Sequence, residues 1–214
     1  MILTPIPPEL LDAALDRFAA GLVDPVARPA FAHIRGTSPE RAEGTAAEAH
    51  RLRALELARA CGMRVHPSGT RPGFNWDGAA LDGDTEAYVI LHEIAHFLLA
   101  PPGDPPIGRR CLPDFGLGPG PDTTERERAE RATVVSPAER DAEEAAASLI
   151  GILWEAALGQ PALASFLDQN WLEGLGRSAA AHFTSVLRQV AALGLVALPA
   201  GEAREGQPSM REMR

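Results

Sequence analysis

Apolar positions along this chain recur mostly every three or four residues, the spacing of one face of a helix. Leu10, Leu11, Ala14, Leu15 and Phe18 mark a helix that follows Thr4–Pro8 and stops near Gly21, ahead of Pro25 and Pro29. The polar stretch from Arg35 to Gly44 reads as a loop. Thr45-x-x-Glu48 has the form of a capping box, and the helix it opens carries Leu52, Leu55 and Ala58 to a stop at Gly62. Met63 to His66 is expected as a short strand. Pro67 to Gly83, rich in Gly and Pro, is expected as a loop anchored by Phe74 and Trp76.

A strongly apolar run, Tyr88 to Leu99, ends at Pro101-Pro102. Asp84 or Thr85 is its expected N-cap, with Glu86 in the first turn. Pro101 to Asp122 lacks any period and is dense in Pro and Gly, the mark of a functional or disordered loop. Thr123 to Arg131 is a run of charges that suits a solvated helical turn or two. Ser136-Pro137-Ala138-Glu139 combines an N-cap, a proline at the first helical position and a glutamate at the third, and predicts a helix to about Leu158, stopped by Gly159. Pro161 to Leu167 and Ser178 to Leu193 predict two more, the last with Phe183, Val186, Leu187 and Val190 on one side. The expected organisation is an N-terminal helical segment over 1–83 packing on the core, a metal-binding catalytic domain over 84–200, and a disordered tail over 201–214.

Composition narrows the function classes. The 214 residues are 45% hydrophobic, enough for a real core, and the formal charge of −9 offers no attraction to nucleic acid or an anionic membrane. All twenty basic residues are arginine, which reads as a compositional bias of the genome. Cys61 and Cys111 are far apart, so neither a disulfide framework nor a cysteine-ligated zinc is expected. The N-terminus does not read as a signal peptide, no apolar run has the length of a membrane span, and a cytoplasmic location is expected.

The chemistry lies in Tyr88 to Leu99, which contains His92-Glu93-x-x-His96. Residues four apart share a helix face, so both imidazoles can turn to one metal ion while Glu93 sits beside its open side. Burying two imidazoles and a glutamate in an apolar helix without partners costs several kcal/mol, and a cation removes that cost. The expected fold is mainly α: a compact helical, zincin-like metal-binding domain with few short strands and an N-terminal helical extension.

A third protein ligand is needed. His33, His50, His66 and His182 remain, but the best carboxylates lie in Asp141-Ala142-Glu143-Glu144. Ala147, Ser148 and Gly151 follow Glu144 on its face and would let that helix pack closely on the histidine helix; this favours Glu144. Glu143 heads the apolar stripe Ala146, Ile150, Leu153, Trp154 and is its rival. Two histidines and a glutamate serve two chemistries. With Zn(II), Glu93 accepts a proton from a metal-acidified water that attacks a carbonyl, as in a zinc metallopeptidase. With Fe(II), the three ligands form a facial triad open to dioxygen and substrate. A third possibility is a non-catalytic metal-binding helical protein.

Beyond the motif the chain continues Arg109-Arg110-Cys111-Leu112-Pro113-Asp114-Phe115-Gly116, then Ile152-Leu153-Trp154, then Asn170-Trp171-Leu172-Glu173-Gly174. This order resembles the elongation factor P hydroxylase family, in which a His-Glu-x-x-His helix precedes an Arg-Arg-x-x-x-Asp-Phe-Gly loop, a glutamate-bearing helix and an Asn-Leu-Glu-Gly-like turn. The resemblance covers about residues 86–176. It departs after Asp-Phe-Gly, where Leu117-Gly118-Pro119-Gly120 replaces aromatic residues, and again at Ala145-Ala146-Ala147, where the family has a basic, proline-containing stretch. The likeness implies oxygen-dependent hydroxylation of a modified lysine on a protein substrate resembling elongation factor P. It implies His92, His96 and Glu144 as ligands and puts Asp114 in the loop over the site; Glu93 and Asp114 are the expected catalytic residues. Arg109 and Arg110 are either substrate clamps or part of an exposed Arg–Asp cluster worth little. Trp154 and Trp171 read as core residues.

Overall fold

Seven helices and one pair of short strands make up the residues described by the computed structural model, 6–69, 75–76, 80–99, 137–173 and 178–196. The chain is mainly helical. Helix α1 is Pro8–Gly21, with Pro8 at its start where a missing N–H costs nothing. It buries Leu15 and Phe18, whereas Leu10, placed on the apolar face by its spacing, is 54% exposed.

Helix α2, Ala27–Arg35, falls where the sequence shows only a proline-rich break. Pro29 occupies its first turn, whose N–H groups have no partner within the helix, so the residue that hides the helix from pattern reading does not harm it. Asp24 accepts from the backbone N–H of Val26 at 2.8 Å and of Ala27 at 3.1 Å, which fixes the chain's entry into α2.

Helix α3 is Gly44–Ala60. It begins one residue before Thr45, so the expected capping box does not form, and the Glu48 carboxylate instead holds Arg51 at 2.7 and 2.9 Å. Strand β1, Arg64–His66, pairs in parallel with β2, Ala80–Asp82. Helix α4 is Ala87–Leu99. Neither expected N-cap serves it: the Asp84 carboxylate accepts from the Gly69 N–H, and the first helical bond runs from Ile90 N–H to the Glu86 carbonyl.

Helices α5 (Pro137–Ala157), α6 (Ala162–Asp168) and α7 (Ala179–Ala192) follow. Gly159, at φ 70°, ends α5: its N–H meets the Ala156 carbonyl at 3.0 Å and the next N–H, of Gln160, meets that of Glu155 at 2.8 Å. Ser178 caps α7 through the Ala181 N–H.

Two apolar clusters hold these elements together. One joins α1 and α2 to α5, α6 and α7 around Phe18, Phe31, Phe166, Phe183 and Trp171, whose neighbouring rings lie 4.7–6.4 Å apart. The other gathers Leu55, Met63, Trp76, Leu81 and Ile90 under α3 and α4. Trp154 packs against both and donates its indole N–H to the Leu195 carbonyl at 3.1 Å. Residues 1–83 thus contribute to both clusters. No described helix is long and apolar enough to cross a membrane. Phe74, Ser136, the 101–131 stretch and the 201–214 tail lie outside the described residues.

Candidate metal centre

Helix α4 has buried residues nearly all round: Ile90, Leu91, Ile94 and Ala95 are all fully covered. Its polar residues His92, Glu93 and His96 must therefore find partners in protein, and α5 supplies them. The two helices can approach because of Gly151. A Cβ there would stand 3.3 Å from the His92 nitrogen and 3.4 Å from its Cα, so a side chain would push the backbones apart.

That approach brings one carboxylate to both imidazoles. His92 Nε2 lies 3.3 Å from Glu144 Oε1, and His96 Nε2 lies 3.1 Å from Glu144 Oε2 and 3.1 Å from His92 Nε2. Glu143, the rival by sequence, turns to the other edge of the same ring: its Oε1 lies 3.3 Å from His96 Nδ1. A carboxylate oxygen accepts, so a ring hydrogen on Nδ1 meets Glu143 and one on Nε2 meets Glu144; a neutral ring that keeps the Nδ1 hydrogen presents a lone pair at Nε2. In that form the Nε2 lone pair faces the Glu144 carboxylate, an arrangement that repels itself unless a cation lies between them.

Ligand bonds of about 2.1 Å, at angles from about 90° to about 110°, separate neighbouring donor atoms by roughly 3.0–3.4 Å. The distances of 3.1, 3.1 and 3.3 Å, the last two to different oxygens of Glu144, fall inside that range, and among the described residues His92, His96 and Glu144 are the one group of three candidate ligands with donor atoms within 4.8 Å of one another. Glu93 supports the same reading. It is 4% exposed, and its Oε2 meets no donor among the described residues. Burial pushes its carboxyl above the usual range, against the pull of His92 and His96.

With no ion bound, a proton takes part of the cation's place. Burial alone would lower the His96 imidazole, but hydrogen bonds to Glu143 and Glu144 outweigh it and raise the ring to about 9. Burial likewise opposes ionisation of Glu144, yet its bonds to His92 and His96 hold it down at about 2. The cluster is thus built to keep a positive charge beside Glu144.

A cavity of about 720 Å³ opens against His92, Glu93 and Glu144. Tyr88, four residues before His92, lies on its wall. So do Gln169, Asn170, Trp171 and Glu173, from the turn whose sequence enters the family resemblance. Asn170 ends α6 at φ 60°, with the Trp171 N–H on the Phe166 carbonyl at 3.2 Å; this stop, made with Asn in place of Gly, swings Trp171 to the cavity. Trp171 is 5% exposed, donates to Ser148 Oγ at 2.9 Å and stacks on His182 at 5.3 Å, so it is core and cavity wall together. His182 and Asp141, also on the wall, carry no local signal by which the sequence could have assigned them there. Arg109, Arg110 and Asp114 lie outside the described residues. Compared with protein-family profiles, curated proteins and solved structures, the chain finds no match.

Proposed function

We propose that this chain is a mononuclear metal-dependent enzyme whose reaction is the oxygen-dependent hydroxylation of a modified lysine on a protein substrate, as the resemblance to elongation factor P hydroxylases implies. The observation that carries it is the convergence of His92 Nε2, His96 Nε2 and the Glu144 carboxylate beside a cavity. Two histidines and one carboxylate suit ferrous iron, which when bound supplies the activation of dioxygen needed to attack an unactivated carbon. The reading includes a zincin-like arrangement of the histidine helix on the glutamate helix and a cytoplasmic location.

The protein's own residues have separable tasks. Glu143 holds the proton at His96 Nδ1 and so fixes which nitrogen faces the ion. Asp141 and Glu173 line the cavity, and no arginine joins them among the described residues, which suits a cationic side chain. Trp171, Val89 and Ala145 give it apolar wall that excludes water.

Iron-loaded protein, elongation factor P carrying its modified lysine, oxygen and ascorbate as electron donor should together yield a substrate heavier by one oxygen atom. Stoichiometric zinc in protein purified without added metal, with activity that survives strict exclusion of oxygen, would overturn the proposal.

The zinc peptidase reading is favoured by one observation: Glu93 lines the same cavity, and its buried Oε2 has no partner among the described residues. There Glu93 would take a proton from water bound at the ion. It predicts that Glu93→Gln abolishes cleavage of an unfolded protein while the metal stays bound; absence of cleavage by the parent chain removes it.

A further inference from the structure

A second cavity, of about 420 Å³, has Tyr88 in its wall as the metal-side cavity does, but none of the three metal-facing residues. Glu155 in the last turn of α5 and Gln160 just beyond it line this cavity while almost wholly buried, 2% and 1% exposed. The Gln160 amide nitrogen reaches the His50 carbonyl at 3.5 Å, whereas its Oε1 is buried without a donor among the described residues. An amide oxygen left so forfeits on the order of 1–3 kcal/mol, which a ligand N–H would restore once the side chain turns the oxygen toward the cavity.

The charges around it say which kind of N–H. Five carboxyl groups share the lining with two guanidinia, and both guanidinia are already engaged. Arg51 holds Glu48 and the Gly83 carbonyl. Arg41 donates to Ser165 at 2.7 Å and Asp168 at 2.8 Å and lies 3.6 Å over the Tyr88 ring, leaving only a 3.6 Å approach to Glu155. Asp84 and Glu86 are exposed. Ala47, Ala87 and Pro161 add apolar wall. The cavity therefore joins a buried acceptor pair, an apolar flank and acidic groups open to solvent.

We propose that this cavity binds a linear aliphatic diamine or polyamine. One ammonium donates to Gln160 Oε1 and the Glu155 carboxylate, the methylenes lie along Ala47 and Ala87, and the other ammonium meets Asp84 and Glu86. Burial raises the Glu155 carboxyl to about 7, with Ser165 and Arg41 pulling it down and Asp168 adding to the rise. An arriving ammonium therefore drives off the proton that Glu155 keeps; Tyr88, Arg51, His50, Glu48, Asp84 and Glu86 are the other titratable groups lining this cavity.

The test is calorimetric titration of the full chain with 1,4-diaminobutane at neutral pH and about 0.15 M salt, in buffers of different ionisation enthalpy. Saturable one-to-one binding with proton release is expected, weakened about tenfold or more by Gln160→Leu and by Glu155→Gln, with proton release lost in the latter. Chelated protein should bind equally well, which separates this site from the metal reading. Glu155→Gln removes a buried charge and keeps the side chain's shape, so it should fold even if Gln160→Leu does not. Three outcomes would each overturn the proposal: no saturation at millimolar diamine, undiminished affinity in the folded variants, or full displacement by equimolar magnesium.

Discussion

Two adjacent glutamates on α5 divide the work at one histidine. Glu144 reaches Nε2 and Glu143 reaches Nδ1, both from 3.1–3.3 Å. Removing the Nδ1 partner frees the ring to change tautomer, so Glu143→Ala should lower metal affinity about 10- to 100-fold while the ligands remain. Competition against a chromogenic chelator measures this; unchanged affinity would show that Glu143 is a bystander. Glu155 makes a separate prediction. Its folded-state value of about 7 stands above the ordinary 4.5, so the folded chain keeps a proton that the unfolded chain gives up. Its cost to stability is absent below about pH 4.5, grows as pH rises, and levels off above about 7 at roughly 3 kcal/mol. Glu155→Gln should therefore be more stable than the parent at neutral pH, with a flatter dependence across that window. A variant less stable than the parent at pH 8 would contradict this.

At the scale of elements, the packing of α4 on α5 sets the site. Gly151→Val would drive a branched side chain into the His92 backbone, so it should cost about 1–3 kcal/mol and release metal at lower chelator concentrations. Thermal melting and metal retention together check it; a stable variant with full metal content would mean that the helices have room to spare. The close approach was legible in sequence, because Ala147, Ser148 and Gly151 stand on the Glu144 face of a well-marked helix. The division between Glu143 and Glu144 was not, since either side chain can reach a neighbour and only the pairing of two helices decides which ring edge each meets. Helix α2 was hidden by Pro29, a residue that breaks helices in their interior but not in their first turn. The capping-box pattern at Thr45 misled for the converse reason. Its local form is right, but α3 starts at Gly44 and leaves Thr45 inside the helix, and the Glu48 carboxylate holds Arg51 instead.

Across the whole molecule, Phe31 of α2 sits among Phe18, Phe166 and Phe183, so residues before 84 complete the core on which α5 rests. Phe31→Ala should cost about 3–5 kcal/mol in denaturant unfolding and weaken metal retention with it. Loss of stability without loss of metal would mean that the core and the site are uncoupled. Periodicity showed the individual helices but could not show that α1 and α2 share a core with α5, α6 and α7, because such contacts join residues more than a hundred apart in the chain. The most direct test of the central claim, that α4 and α5 together grip one cation, is an anomalous diffraction scan at the iron and zinc edges on crystals grown without added metal. One peak per chain is expected, at iron, within bonding distance of His92 Nε2, His96 Nε2 and a Glu144 oxygen. No peak there, with the two imidazoles turned apart, would contradict it.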